Sequence, residues 1–174
     1  MTTYTLAGGC FWCLDAVFRG LKGVELSTCG YSGGTKSDAN YYRVASGKTG
    51  HAEAVQVTFD ENQIPGSVLL DIFFLIHNPT TPNQQGADIG PQYRSALFYE
   101  DDSQKHEFEH ALSRAQKTWE EPIVTDISHL TAFYKAEPEH QDYFNQNPAN
   151  PYCSVVISPK IIKAKNNYAN YFTE

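Results

Sequence analysis

The chain is short of positive charge, of cysteine and of long apolar runs, and each shortage removes a class of function. Thirteen Lys and Arg residues stand against twenty Asp and Glu in 174 residues, a formal net charge of −7. A nucleic-acid partner needs a basic surface, so the balance argues against one. No apolar run approaches the roughly 18 residues of a membrane span. The opening "MTTYTLAGG" carries neither the basic nor the apolar region of a secretory signal. The expectation is a soluble, cytoplasmic protein with no membrane partner. Four cysteines, Cys10, Cys13, Cys29 and Cys153, are too few and too unevenly spread for a disulfide framework, which shifts weight to redox, catalytic or metal roles. There is no internal repeat, low-complexity tract or linker-like stretch. Residues 1–174 therefore read as one domain, long enough to bury its own core and, with no obvious apolar patch, monomeric.

What is present alternates irregularly between strand and helix signals. "TYTLA" (3–7) reads as a strand broken by Gly8 and Gly9, after which "CFWCLDAVFRGL" is amphipathic at helical spacing until Gly20. Residues 23–31 and 51–60 alternate as strands, the second placing Glu53, Val55, Val57 and Phe59 on one face. Residues 64–77 and 102–119 have helical spacing, and 95–99 and 122–128 read as strands. Residues 78–94 form a connection long enough to suggest function. A short helix over 137–146, a strand "CSVVIS" (153–158) and a closing helix over 159–172 complete the pattern. Mixed elements without strict alternation predict an α+β two-layer sandwich, with a ferredoxin-like plait of largely antiparallel or mixed sheet at its core.

"HEFEH" (106–110) matches two zinc-peptidase patterns. On a helix, however, Phe108, Ala111, Leu112, Ala115 and Trp119 share one stripe of about 100°, and His106 and His110 fall opposite it, toward water. A structural zinc on Cys10 and Cys13 would need two further ligands, and Cys29, Cys153 and His51 do not supply a second paired motif. Cys10 is left as a nucleophile. At a helix start, free backbone N–H groups and the macrodipole favour a thiolate. Phe11 and Trp12 beside it read as the wall of a small apolar pocket, with ordinary core packing as the alternative. Such a pocket suits a methyl group next to a polar reacting centre. Reducing an S=O bond with a thiolate also needs an acid, for which Glu53, if buried and held protonated, is the candidate, with Tyr41 and Tyr93 as phenolic donors.

These blocks, "GGCFWC", "GYSGG" (30–34), "NYYRVASGKTGHAEAV" (40–55), "HNPTTPNQQGADIGPQYRS" (77–95), "FYKAEPEHQDY" (133–143) and "NPYC" (150–153), resemble the A-type peptide methionine sulfoxide reductases in order and over nearly the whole chain. The resemblance implies a thiol-dependent reductase of the S epimer of methionine sulfoxide, free or protein-bound, with no metal or organic cofactor. It assigns Cys10 as the catalytic thiol, Phe11 and Trp12 as the methyl pocket, Glu53 as the acid, Tyr41 and Tyr93 as donors to the sulfoxide oxygen, and Asp88 as a site-lining carboxylate. A sulfenic acid on Cys10 would then be resolved by a second cysteine and the disulfide reduced by thioredoxin or a small dithiol. Cys153 matches the family's C-terminal resolving position and follows the flexible "NQNPANP". Cys13 is the second choice, because Cβ atoms three residues apart on a helix lie about 5–6 Å apart, beyond a relaxed disulfide. Cys29 reads as a buried small hydrophobe. Asn78 and Asp15 stand where the family often has aspartate and glutamate. Two other readings are a general dithiol–disulfide oxidoreductase using Cys10 and Cys13, and a sulfoxide-binding module without turnover.

Overall fold

The computed structural model describes residues 1–173. Its frame is a six-stranded sheet in the order β7-β6-β1-β3-β2-β8, built from β1 (Thr2–Ala7), β2 (Val24–Ser32), β3 (Ala52–Phe59), β6 (Ala96–Tyr99), β7 (Asp126–His129) and β8 (Phe133–Lys135). Every pairing is antiparallel except β6 with β7. Helix α1 (Phe11–Arg19) joins β1 to β2, and α3 (Gly66–Ile76) joins β3 to β6. Each crossover skips one strand, which gives the β6-β1-β3-β2 order of a βαββαβ plait. The expected α+β sandwich is the fold observed.

Strand alternation decides what each face buries. Tyr4 and Leu6 of β1, Cys29 and Tyr31 of β2, and Val55, Val57 and Phe59 of β3 point to one side. There they meet Phe11, Leu14, Val17 and Phe18 of α1 and Leu69, Leu70, Ile72 and Phe73 of α3. A smaller cluster of Ala7, Ala52, Ala54, Ala96 and Phe98 lies on the opposite face, covered by Leu130 and Phe133. Glu53 belongs to the first face, so its carboxyl sits within the main core beside the start of α1.

Helix α4 (Asp102–Gln116) starts where the Asp101 side chain accepts from the Gln104 N–H, and it buries Phe108, Ala111 and Ala115. His106 and His110 are exposed on its far side. Among the described residues, no group of three or more His, Cys, Asp or Glu side chains is placed to hold a metal ion. No described helix is long and apolar enough to cross a membrane.

Several expected elements differ. "CSVVIS" is a π-helical turn, Cys153–Ile157, running into α6 (Ser158–Tyr168), and not a strand. Its β-branched residues suggested extension, but Ile157, Ile161 and Ala164 repeat at helical spacing and turn inward together. The strand expected over 122–128 is confined to Asp126–His129, since the Val124 N–H bonds to the Pro79 carbonyl instead of a neighbouring strand. The helix expected over 137–146 is split by Asp142 in a left-handed conformation (φ 52°), leaving a 3-10 turn at Pro138–His140 and α5 (Tyr143–Gln146). The long 78–94 connection contains a small hairpin, β4 (Gln84–Gln85) and β5 (Asp88–Ile89). Strand β8 and the one-turn helix α2 (Tyr41–Val44) carry too few residues to show a period.

Candidate active site

Two glycines set the position of Cys10. Gly9 has φ +90°, and a Cβ on Gly8 would lie 3.0 Å from the ring of buried His77. The chain therefore turns tightly out of β1 and delivers Cys10 as the N-cap of α1, with no side-chain cap bond at that position. Phe11 N–H donates to Glu53 Oε1 at 3.1 Å. The carboxyl thus takes one of the helix's free donors directly beside the thiol.

Burial dominates the electrostatics. Glu53 is 1% exposed, and desolvation pushes its pKa up to about 8 despite the stabilising Phe11 N–H. It is protonated at neutral pH. Cys10 differs from the expectation of a lowered pKa. Burial raises it, as do its hydrogen bond to Cys13 and the proximity of Glu53, and these outweigh the helix start. Cys13 moves the other way, to about 7, chiefly because it accepts from the Cys10 thiol, with Lys160 and the Tyr152 hydroxyl adding to the effect against burial. The two neighbouring sulfurs shift each other in opposite directions, Cys10 up and Cys13 down.

The aromatic residues form a continuous shell. Phe11 is fully buried, with Tyr31, Tyr41 and His140 rings at 5.7, 6.4 and 5.5 Å. Trp12 keeps some surface. Its indole stacks on Tyr143 at 3.7 Å and 5°, and its Nε1–H donates to His140 Nδ1 at 3.1 Å. Tyr41 at the start of α2 and Tyr93 after the hairpin, far apart in sequence, both lie near Glu53, Cys10 and Asp88. Burial and the charges of Glu53, Cys10 and Asp88 raise both phenols, Tyr41 to about 12. The Tyr41 backbone is held by Glu137, whose carboxylate accepts Tyr41 N–H at 2.9 Å and the Tyr31 hydroxyl at 2.8 Å. His51 fixes the loop before α2: its Nδ1 accepts Gly34 N–H at 3.1 Å and its Nε2 donates to the Thr35 carbonyl at 2.8 Å.

Asp88 comes from the hairpin, and its Oδ2 accepts the Tyr152 hydroxyl at 2.9 Å. Tyr152 also lies 3.6 Å from Cys13 Sγ. Cys153, expected on a flexible arm, is 1% exposed inside the π-helical turn, and the neighbouring sulfur that raises its pKa, after burial itself, is Cys13. Cys29 is buried at 0% on β2, where its thiol points to the Phe11 carbonyl. Residue-level reading missed Tyr152, Tyr143, His140 and Glu137, and weighed His51 only as a metal ligand and not as the residue that holds the Gly34–Thr35 loop. All five lie inside the blocks quoted for the family resemblance, but lone tyrosines and histidines have no spacing that announces them.

The family model described as "Peptide methionine sulfoxide reductase" matches residues 2–171. A curated protein of Pseudarthrobacter chlorophenolicus called "Peptide methionine sulfoxide reductase MsrA" is 53% identical over 169 residues, 97% of each chain. The crystal structure of Mxr1 from Saccharomyces cerevisiae in reduced form superposes with a TM-score of 0.83 at 37% identity, covering 87% of this chain and 88% of that one. Mxr1 in complex with Trx2 superposes at 0.58 and 29% identity, covering 82% and 84%.

Proposed function

This chain belongs to the peptide methionine sulfoxide reductase family, and from that premise we propose how its own residues reduce the sulfoxide and with what selectivity. The observation that carries the reading is the meeting of Cys10 with the protonated Glu53 at the start of α1. The substrate methyl lies against Trp12 and Phe11, and the sulfoxide oxygen points to Glu53, Tyr41 and Tyr93. Cys10 gives its proton up to solvent and its sulfur attacks that of the substrate. Glu53 gives its proton to the oxygen. The hydroxyl so formed passes from the substrate sulfur to Cys10 Sγ as the substrate S–O bond breaks, so that methionine leaves with its sulfur reduced and Cys10 holds a sulfenic acid.

A second thiol then closes a disulfide. Cys13 is the better resolver: its sulfur is close enough to Cys10 that each shifts the other, whereas Cys153 is buried in a helical turn against Cys13. The gap at i+3 closes because Cys10 is the N-cap, with extended backbone (φ −62°, ψ 128°), and not a residue of the helix proper. A thioredoxin-class dithiol reduces the product, by analogy with the yeast relative solved with Trx2. The chirality of this oxygen-donor and methyl-wall arrangement selects the S epimer. Cys10→Ser is the test, run with separate S and R sulfoxides. The parent enzyme should turn over only the S form and the variant neither. Turnover in the variant would overturn the assignment.

A further inference from the structure

Cys10 lies beside Cys13, Cys13 meets the Tyr152 hydroxyl at 3.6 Å, and that hydroxyl donates to Asp88 at 2.9 Å. The chain of contacts runs from the buried reacting sulfur to a half-exposed carboxylate. Tyr152 is itself held in place. Asn150 Oδ1 accepts its backbone N–H at 2.9 Å, and Asn150 Nδ2 donates to the hydroxyl of Tyr143, the ring stacked on Trp12.

We propose that Tyr152 is a positioning residue for disulfide formation, its hydroxyl shared between Asp88 and Cys13 so that it holds the Cys13 sulfur beside Cys10 and donates to it as a thiolate. The inference rests on the reading of Cys13 as resolver. In that step the Cys13 electron pair forms the S–S bond, the S–O bond of the sulfenic acid breaks, and the oxygen leaves as water with the proton it carries and the one Cys13 gives up. Cys13 is oxidised and the Cys10 sulfur reduced. A carboxylate only accepts, so the hydroxyl points to Asp88 while Cys13 is protonated and turns to the sulfur when Cys13 ionises.

The groups facing Cys13 are Cys10 at the mouth of its helix, Glu53 of β3, Asp88 of the hairpin, Tyr152 and Cys153 before α6, and Lys160 on α6. Lys160 alone supplies positive charge. Tyr152 is the neutral donor in contact, and the one that can be removed without altering net charge.

Tyr152→Phe keeps the ring at the edge of Trp12 and deletes only the hydroxyl. Purified enzyme without reductant is given one equivalent of S-methionine sulfoxide, and methionine release and the mapped disulfide are timed between pH 6 and 9.5. The expected result is methionine release within about two-fold of the parent, and a Cys10–Cys13 disulfide whose pH midpoint rises by about one unit. Its rate at pH 6 should fall about three-fold, because the thiolate fraction drops about ten-fold while the less stabilised thiolate is more nucleophilic. An unmoved midpoint, or methionine release slowed in proportion, overturns the role of Tyr152. A Cys10–Cys153 map in the parent enzyme removes the Cys13 reading, and this proposal with it. A Cys10–Cys13 map with an unmoved midpoint in the variant removes the proposal alone.

Discussion

Glu53 accepts the backbone N–H of Phe11 at 3.1 Å, so the residue next to the reacting thiol ties the acid to the helix that presents that thiol. One hydrogen bond thereby couples the two halves of the chemistry. It also favours the charged carboxylate, yet burial wins and Glu53 stays protonated to about pH 8. An acid with that value can give up a proton at neutral pH and recover it between turnovers.

Glu53→Gln retains an acceptor for Phe11 N–H and removes the proton. The reductive step should slow by about 10²–10⁴-fold, the usual worth of a positioned acid, and lack the decline in rate expected of the parent as pH rises through about 8. Stability should respond in the same window. With its folded pKa raised above the ordinary 4.5, Glu53 contributes fully below pH 4.5 and the contribution is lost as pH climbs to about 8. Thermal unfolding at pH 8.5 should therefore favour the glutamine variant over the parent, with the advantage gone near pH 4.

The cysteine order is open to a two-variant comparison. Cys153→Ser should keep dithiol-driven turnover within a few-fold of the parent, since that sulfur packs in a helical turn and Cys13 closes the disulfide. Cys13→Ser should stop at or below one methionine per enzyme with a sulfenic acid trapped on Cys10. Mass mapping after alkylation reads both. The reverse pattern would return the resolving role to Cys153.

His140 supports the pocket in a way that can be measured at Trp12. Burial lowers its pKa, so at neutral pH its Nδ1 lone pair is available to the indole N–H, while its ring stacks on Tyr41 at 4.3 Å. His140→Leu leaves that N–H without its acceptor, costing about 1–3 kcal/mol of stability. KM for sulfoxide should rise about ten-fold with kcat less affected, and indole emission should shift in a Trp119→Phe background. His140→Asn, whose amide oxygen stands near the Nδ1 position, should recover much of the loss.

How far the sequence disclosed this site follows from how each residue reports itself. Glu53 is visible because β3 alternates over eight residues, so its side of the sheet is fixed by Val55 and Val57. Cys10 is visible because two glycines and an amphipathic run mark the helix start. Its raised pKa is not, since desolvation depends on what the fold stacks above it. Asp15 shows the same limit. In the sequence it is one polar residue in α1. In the structure it is 1% exposed, bonded to Arg19 and Ser27, and accepts the N–H of Asp142 at 3.1 Å, the left-handed residue that launches Tyr143 toward Trp12. Contacts that span 127 positions leave no local period to read. "CSVVIS" failed for the opposite reason: a short β-branched run announces extension, and the helical repeat that overrides it emerges only with Ile161 and Ala164.

Gly9 links backbone geometry to the distant carboxylate of the site. At φ +90° an alanine is strained, and its Cβ would come within 2.6 Å of Gln85 Cγ. Gln85 cannot yield freely, because its amide accepts Asn78 N–H and donates to the Asn78 carbonyl, both at 3.0 Å. Gln85 also pairs with Asp88 across the hairpin, so pushing it outward carries Asp88 away from Tyr152. Gly9→Ala should thus lose about 1–2 kcal/mol of stability from the backbone alone. It should also slow disulfide formation after the first methionine, a loss that Gln85→Ala in the same chain partly relieves by opening space for the new methyl. Denaturant unfolding reads the first effect and the timed disulfide map the second. A Gly9→Ala enzyme with full stability and parental disulfide kinetics would show that the turn tolerates a side chain and that the hairpin is not held through it.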